Sequence, residues 1–115
     1  MTDTKHVQTI QEKLQTLKDR LLALDRMRPG SLSRQYNVCG KAGCRCKDPR
    51  NPKRHGPYYQ LNYVFRGKKT SQFIRAADAA TVRAELANFK KFRRLTDQWV
   101  GLVLQRANLE LKSKA

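Results

Sequence analysis

Apolar side chains recur at Val7, Ile10, Leu14, Leu17, Leu21 and Leu24, with steps of three and four in alternation. Those steps return to one stripe of an α-helix and form a heptad seam. No glycine or proline interrupts the pattern before Pro29-Gly30, so it predicts an N-terminal helix over residues 1–28. Three heptads are too few to hold a helix by themselves. The seam needs a partner, either another helix of the same chain or a second copy in a homodimeric coiled coil.

Further along, Tyr59, Leu61, Tyr63 and Phe65 alternate with Gln60, Asn62 and Val64. This period of two predicts a half-buried strand. Arg66-Gly67-Lys68-Lys69 reads as a turn, and Thr70 to Ile74 as a returning strand. Two-residue and four-residue loops both fit, and both leave Phe73 opposite a polar neighbour. From Ala76 the chain is rich in helix formers, with Asp78 placed to favour a helix N-terminus. Val82, Leu86, Phe89, Phe92, Leu95, Trp99, Leu102 and Leu109 continue a helical stripe that shifts near Phe89 to Phe92. One long helix with a rotating face fits this pattern, as do two helices with a bend.

The pattern as a whole predicts an α+β fold: long N-terminal and C-terminal helices packed together, residues 1–28 and 76–115, around a central knuckle and β-hairpin, residues 29–75. A chain of 115 residues has room for one shared core, hence one compact domain.

Charge changes the picture. The chain has 25 basic and 9 acidic residues and a formal net charge of +16. A compact state with that charge repels itself unless an anionic partner is bound. The excess is concentrated: residues 28–75 hold 12 basic residues and only Asp48 as an acid. This basic middle points to nucleic acid, DNA ahead of RNA. The candidate contacts are Arg28, Arg34, Lys41, Arg45, Lys47, Arg50, Lys53, Arg54, Lys68, Lys69 and Arg75. Any one of them alone reads better as a solvated charge than as a contact; the cluster as a whole does not. Gln60 and Asn62 join them as side chains able to read adenine if the strands enter a major groove, with interior hydrogen bonding and plain exposure as equal readings. Tyr36, Tyr58 and Tyr59 are candidates for stacking on unpaired bases or for the core. A membrane is not expected, because the longest apolar run, near Trp99 to Leu104, is far shorter than the ~20 residues needed to span one. The polar start, Met1-Thr2-Asp3-Thr4, carries no secretory pattern, so the expected location is cytoplasmic, nucleoid-associated if DNA is bound.

All three cysteines fall within eight positions, in Cys39-Gly40-Lys41-Ala42-Gly43-Cys44-Arg45-Cys46, and His55-Gly56-Pro57-Tyr58 follows. Disulfides between such close neighbours would be strained and would leave one thiol over. In a reducing compartment the set reads as a metal site. Cys39, Cys44, Cys46 and His55 supply the four soft or borderline ligands of a closed, structural Zn2+ shell. The surrounding segment has few large apolar side chains to offset its ordering entropy, which a structural zinc would do. Buried thiols and a redox cysteine are the competing readings. His6, beside Val7, is read as a surface residue.

The run Met27-Arg28-Pro29-Gly30-Ser31-Leu32-Ser33, with the Cys motif and His55-Gly56-Pro57-Tyr58, resembles a family of small uncharacterised bacterial proteins, a domain of unknown function often encoded near transposases. The resemblance implies a mobile-element setting, with a transposase as a possible partner, and retention of the Cys/His set as a unit. It implies no activity. The residues themselves point away from an enzyme. A two-metal nuclease needs convergent carboxylates, a zinc deaminase needs H-x-E with P-C-x2-C, and a Walker loop needs its glycines; none of these patterns occurs. The expectation is therefore a zinc-stabilised DNA-binding accessory or regulatory factor. The alternatives are a protein-interaction adaptor docking through its helical seam and a structured-RNA-binding protein.

Overall fold

The computed structural model describes residues 2–37, 43–50 and 53–114. The element order is α1 (Thr2–Ala23), β1 (Ser31–Asn37), a 3-10 turn (Arg45–Lys47), β2 (His55–Phe65), β3 (Lys68–Ile74), a second 3-10 turn (Ala76–Asp78) and α2 (Ala79–Lys114). The mixed helix and sheet class is as expected. The expected hairpin, however, is part of a three-stranded antiparallel sheet in the order β1-β2-β3.

The residues group into two units, Met1–Met27 with Ala87–Ala115, and Arg28–Leu86. In the first unit the heptad seam faces inward: Ile10, Leu14 and Leu17 are buried, and Val7, Leu21 and Leu24 are half-buried. The partner is the C-terminal part of α2. Lys18 lies over the Trp99 ring, 5.5 Å from its centroid, and the Asn88 amide donates to the Arg26 carbonyl at 2.9 Å. Phe89, Phe92, Leu95, Trp99, Leu102 and Leu109 are all half-buried, and α2 is one continuous helix. α1 ends at Ala23, short of the expected stop near Pro29. Asp25 explains part of this, since its carboxylate accepts the Arg26 amide at 2.7 Å and offers the backbone an alternative to the next helical turn.

In the second unit, β2 is the central strand. Leu61, Ile74, Val82 and Leu86 are buried together, with Leu32, Tyr59 and Tyr63 packed against them. The inner face of the sheet thus rests on the first turns of α2. Leu32 pairs with Leu61 on one side of β2, and Tyr59 pairs with Ile74 on the other. The β2–β3 loop has two residues, since Phe65 pairs with Lys68. Arg66 and Gly67 have φ of 50° and 78°, the positive values that a type I′ hairpin turn requires at both central positions. Asp78 directly precedes α2 and accepts from Arg75 Nε at 3.0 Å.

Gly30 sets the entry of β1. Its φ is +116°, and a Cβ there would collide with the Asn62 carbonyl oxygen and lie 2.9 Å from Tyr63 Cβ. Gly30→Ala is therefore expected to destabilise the fold by more than ~1 kcal/mol, and Leu61→Ala by about 2–5 kcal/mol. Denaturant midpoints read both effects, and wild-type midpoints for either variant would contradict this account of the packing.

Candidate nucleic-acid interface and Cys/His cluster

With Leu61 and its neighbours inward, strand alternation sends Tyr58, Gln60, Asn62 and Val64 to the opposite face. Ser33 and Gln35 join them from β1, and Lys69, Ser71 and Phe73 from β3. This outward face is polar and held by side-chain contacts. Gln35 Nε2 donates to Gln60 Oε1 and to Ser33 Oγ, both at 3.4 Å, and Ser33 Oγ donates to the Gln60 carbonyl at 3.3 Å. Ser71 Oγ donates to Asn62 Oδ1 at 2.7 Å. Apolar groups interrupt the polar face: Phe73 is 65% exposed, and Tyr58 tilts against it with ring centroids 5.9 Å apart.

Gln60 and Asn62, both half-buried, thus stand side by side on the outward face. Ser33, Gln35 and Phe73 belong to the same surface, and sequence reasoning misses all three. Phe73 is readable as an apolar residue opposite a polar one. Gln35 is not, because β1 carries no alternation to mark it as a strand.

The basic candidates fall into three groups. Arg45 and Lys47 on the first 3-10 turn, Arg50, Lys53 and Arg54 after it, and Lys68 and Lys69 on β3 are exposed. Arg66, in the turn beside the last two, is exposed as well and stacks its guanidinium 5.1 Å from the Phe65 centroid. Arg34 is exposed and lies 5.9 Å from the Tyr36 centroid. Two others are occupied within the fold. Arg28 is half-buried, its Nε 3.5 Å from Glu85 Oε1 and its amide donating to the Glu85 carbonyl at 3.1 Å. Arg75 pairs with Asp78. Lys41 lies outside the described residues.

Of the four candidate metal ligands, Cys39 and the side chain of Cys46 also lie outside what is described. Cys44 and His55 meet, Sγ to Nε2 at 3.2 Å, in a half-buried position. β2 begins at His55, four residues before the alternation starts, and this extension carries the imidazole to the cysteine. The Lys53 amide donates to the Arg45 carbonyl at 2.9 Å and ties the segment before His55 to the 3-10 turn. Among the described residues no group of three or more His, Cys, Asp or Glu is placed to hold a metal ion.

The model of a family described as Domain of unknown function (DUF6788) matches residues 7–84. The chain belongs to this family. No curated protein and no solved structure matches it. The family region takes in the seam of α1, the whole sheet and the first turns of α2, so every candidate residue named above falls within it. No described helix is long and apolar enough to cross a membrane.

The exposure of Phe73 makes a clear expectation. Phe73→Ala should shift stability by no more than ~1 kcal/mol, the scale of one aromatic pair, whereas truncating its buried neighbour, Ile74→Ala, should cost about 2–5 kcal/mol. Comparable losses in thermal unfolding would show that Phe73 belongs to the core.

Proposed function

We propose that this chain is a non-catalytic nucleic-acid-binding protein, with DNA favoured over RNA, that uses the open sheet face and the basic segments around it. One observation carries the reading: residues 28–86 hold thirteen basic against three acidic side chains, and most of the described basic ones are exposed, in the same unit as a sheet with a polar outward face. Phosphate contacts supply sequence-independent affinity and register, and groove contacts from the strands supply sequence choice. The resemblance to transposase-associated bacterial proteins makes an accessory or regulatory factor of a mobile element the natural setting.

A structural zinc held by Cys39, Cys44, Cys46 and His55 belongs to the same proposal. Its support is the Cys44–His55 contact at 3.2 Å. Adjacent sulfur and nitrogen ligands of a tetrahedral zinc stand about 3.6 Å apart, given Zn–S of ~2.3 Å and Zn–N of ~2.0–2.1 Å. The metal would fasten the segment between β1 and β2 and take no part in catalysis.

Binding to duplex DNA should weaken steeply with salt, by about a thousandfold between ~50 and ~200 mM if six phosphates are contacted. Replacing Arg45, Lys47, Arg50, Lys53 and Arg54 by Ala should lower the log–log salt slope by about 0.9 for each phosphate that is no longer neutralised. Failure to bind any DNA or RNA at low salt rejects the reading, and tighter binding to structured RNA than to duplex DNA reassigns the partner. Elemental analysis should find about one zinc per chain, absent from Cys44→Ser and from His55→Ala. A metal-free preparation with native amide-exchange protection at His55 to Gln60 would rule the zinc out.

A protein adaptor is the second reading. It is favoured by Val100, Leu104 and Leu111, exposed apolar residues four and seven positions apart on α2. Partner capture that survives nuclease treatment and is abolished by Leu104→Glu supports it.

A further inference from the structure

The outward face of β2 and β3 is arranged in rungs. Gln60 pairs with Phe73, Asn62 with Ser71, and Val64 with Lys69. Successive rungs on one face are two residues apart, about 6.6–6.8 Å, which is twice the ~3.4 Å step between base pairs. β1 flanks β2 only as far as Asn62, and beyond it β2 and β3 run on as a two-stranded ribbon, a width that the ~12 Å major groove admits. Its tip, Arg66-Gly67-Lys68-Lys69, brings three exposed cations to the point where such a ribbon meets the phosphates.

The first rung sets an uncharged amide beside an exposed aromatic ring. Gln60 Oε1 already accepts from Gln35, which leaves its second lone pair and both Nε2 protons for an outside partner. An amide with one acceptor site and a neighbouring donor matches adenine N6–H and N7 in the major groove. Phe73, exposed and steadied by Tyr58, offers what a polar base edge does not want and a thymine C5-methyl does. Guanine is read mainly by Arg or Lys, and this rung has neither. The surrounding positive charge complements the phosphates on either side.

We propose that the Gln60–Phe73 rung reads an A·T pair in the major groove of duplex DNA, with Gln60 on adenine and Phe73 on the thymine methyl. This rests on the DNA-binding reading above and narrows it to one base pair and two edges.

Base analogues that leave Watson–Crick pairing intact provide the test. The full chain is titrated with four duplexes: one A·T-rich, the same with 7-deazaadenine, the same with deoxyuridine for thymidine, and a G·C-rich duplex of equal length. Wild type should lose about 5- to 100-fold in affinity on deazaadenine and about fourfold on loss of the methyl groups. Gln60→Ala should abolish only the deazaadenine effect, and Phe73→Ala only the deoxyuridine effect. Circular dichroism confirms that both variants are folded. Equal affinity of wild type for all four duplexes overturns this proposal and leaves nucleic-acid binding intact. Stronger binding to the separated strands than to the duplex overturns it in favour of base stacking on Tyr58 and Phe73. No binding to any of these probes at low salt is the separate result that removes the DNA-binding reading itself.

Discussion

The sheet depends on one layer of contact, the seating of Leu61 and its inner-face neighbours on the first turns of α2. A two-stranded hairpin is marginal in water, and three strands hold only when a hydrophobic face is covered. Leu61 is the most completely buried large side chain of the described residues and sits on the central strand, so both flanking strands take their registers from it. A slip of one residue would exchange the two faces of β2. Gln60, Asn62 and Phe73 therefore stand outward as a direct result of Leu61 standing inward.

The elements with a strong period are legible in the sequence. The seam of α1, the alternation of β2, the Arg-Gly turn and the stripe of α2 each arise from burial on one side, and burial leaves a pattern. β1 leaves none. Between Leu32 and Tyr36 it carries serine, arginine and glutamine, and its identity comes from pairing with β2. The same gap hides Gln35, whose place beside Gln60 exists only once β1 is in register. The end of α1 falls at Ala23 instead of near Pro29 in part because Asp25 turns its carboxylate onto the next amide, a local competition that helix-breaker rules do not weigh.

For the candidate site, the number of cations is legible and their employment is not. Arg28 and Arg75 look like their neighbours in sequence, yet Glu85 lies 57 residues beyond the first and Asp78 three beyond the second, and each arginine is held by its acid. The Cys/His motif is visible as spacing. The long reach of β2 back to His55, which brings the imidazole to Cys44, is not, because Gly56 and Pro57 interrupt any strand pattern there. Charge and discrimination also separate in space under the proposed function. Exposed cations hold a polyanion without regard to sequence, while the amide network of Gln35, Gln60 and Ser33 is neutral and fixed in orientation.

The two flanking strands have one more consequence. An unpaired strand edge is a template on which another chain can add, and a sheet with one uncovered face has nothing else to stop its growth. Here the end of β1 shifts register between Gln35 and Asn37, which breaks the regular line of donors and acceptors there, and β3 starts with Lys68 and Lys69. Each added copy would bring those lysines against a like-charged neighbour and would have to follow a kinked edge. Both edges thus carry features that oppose the addition of further strands.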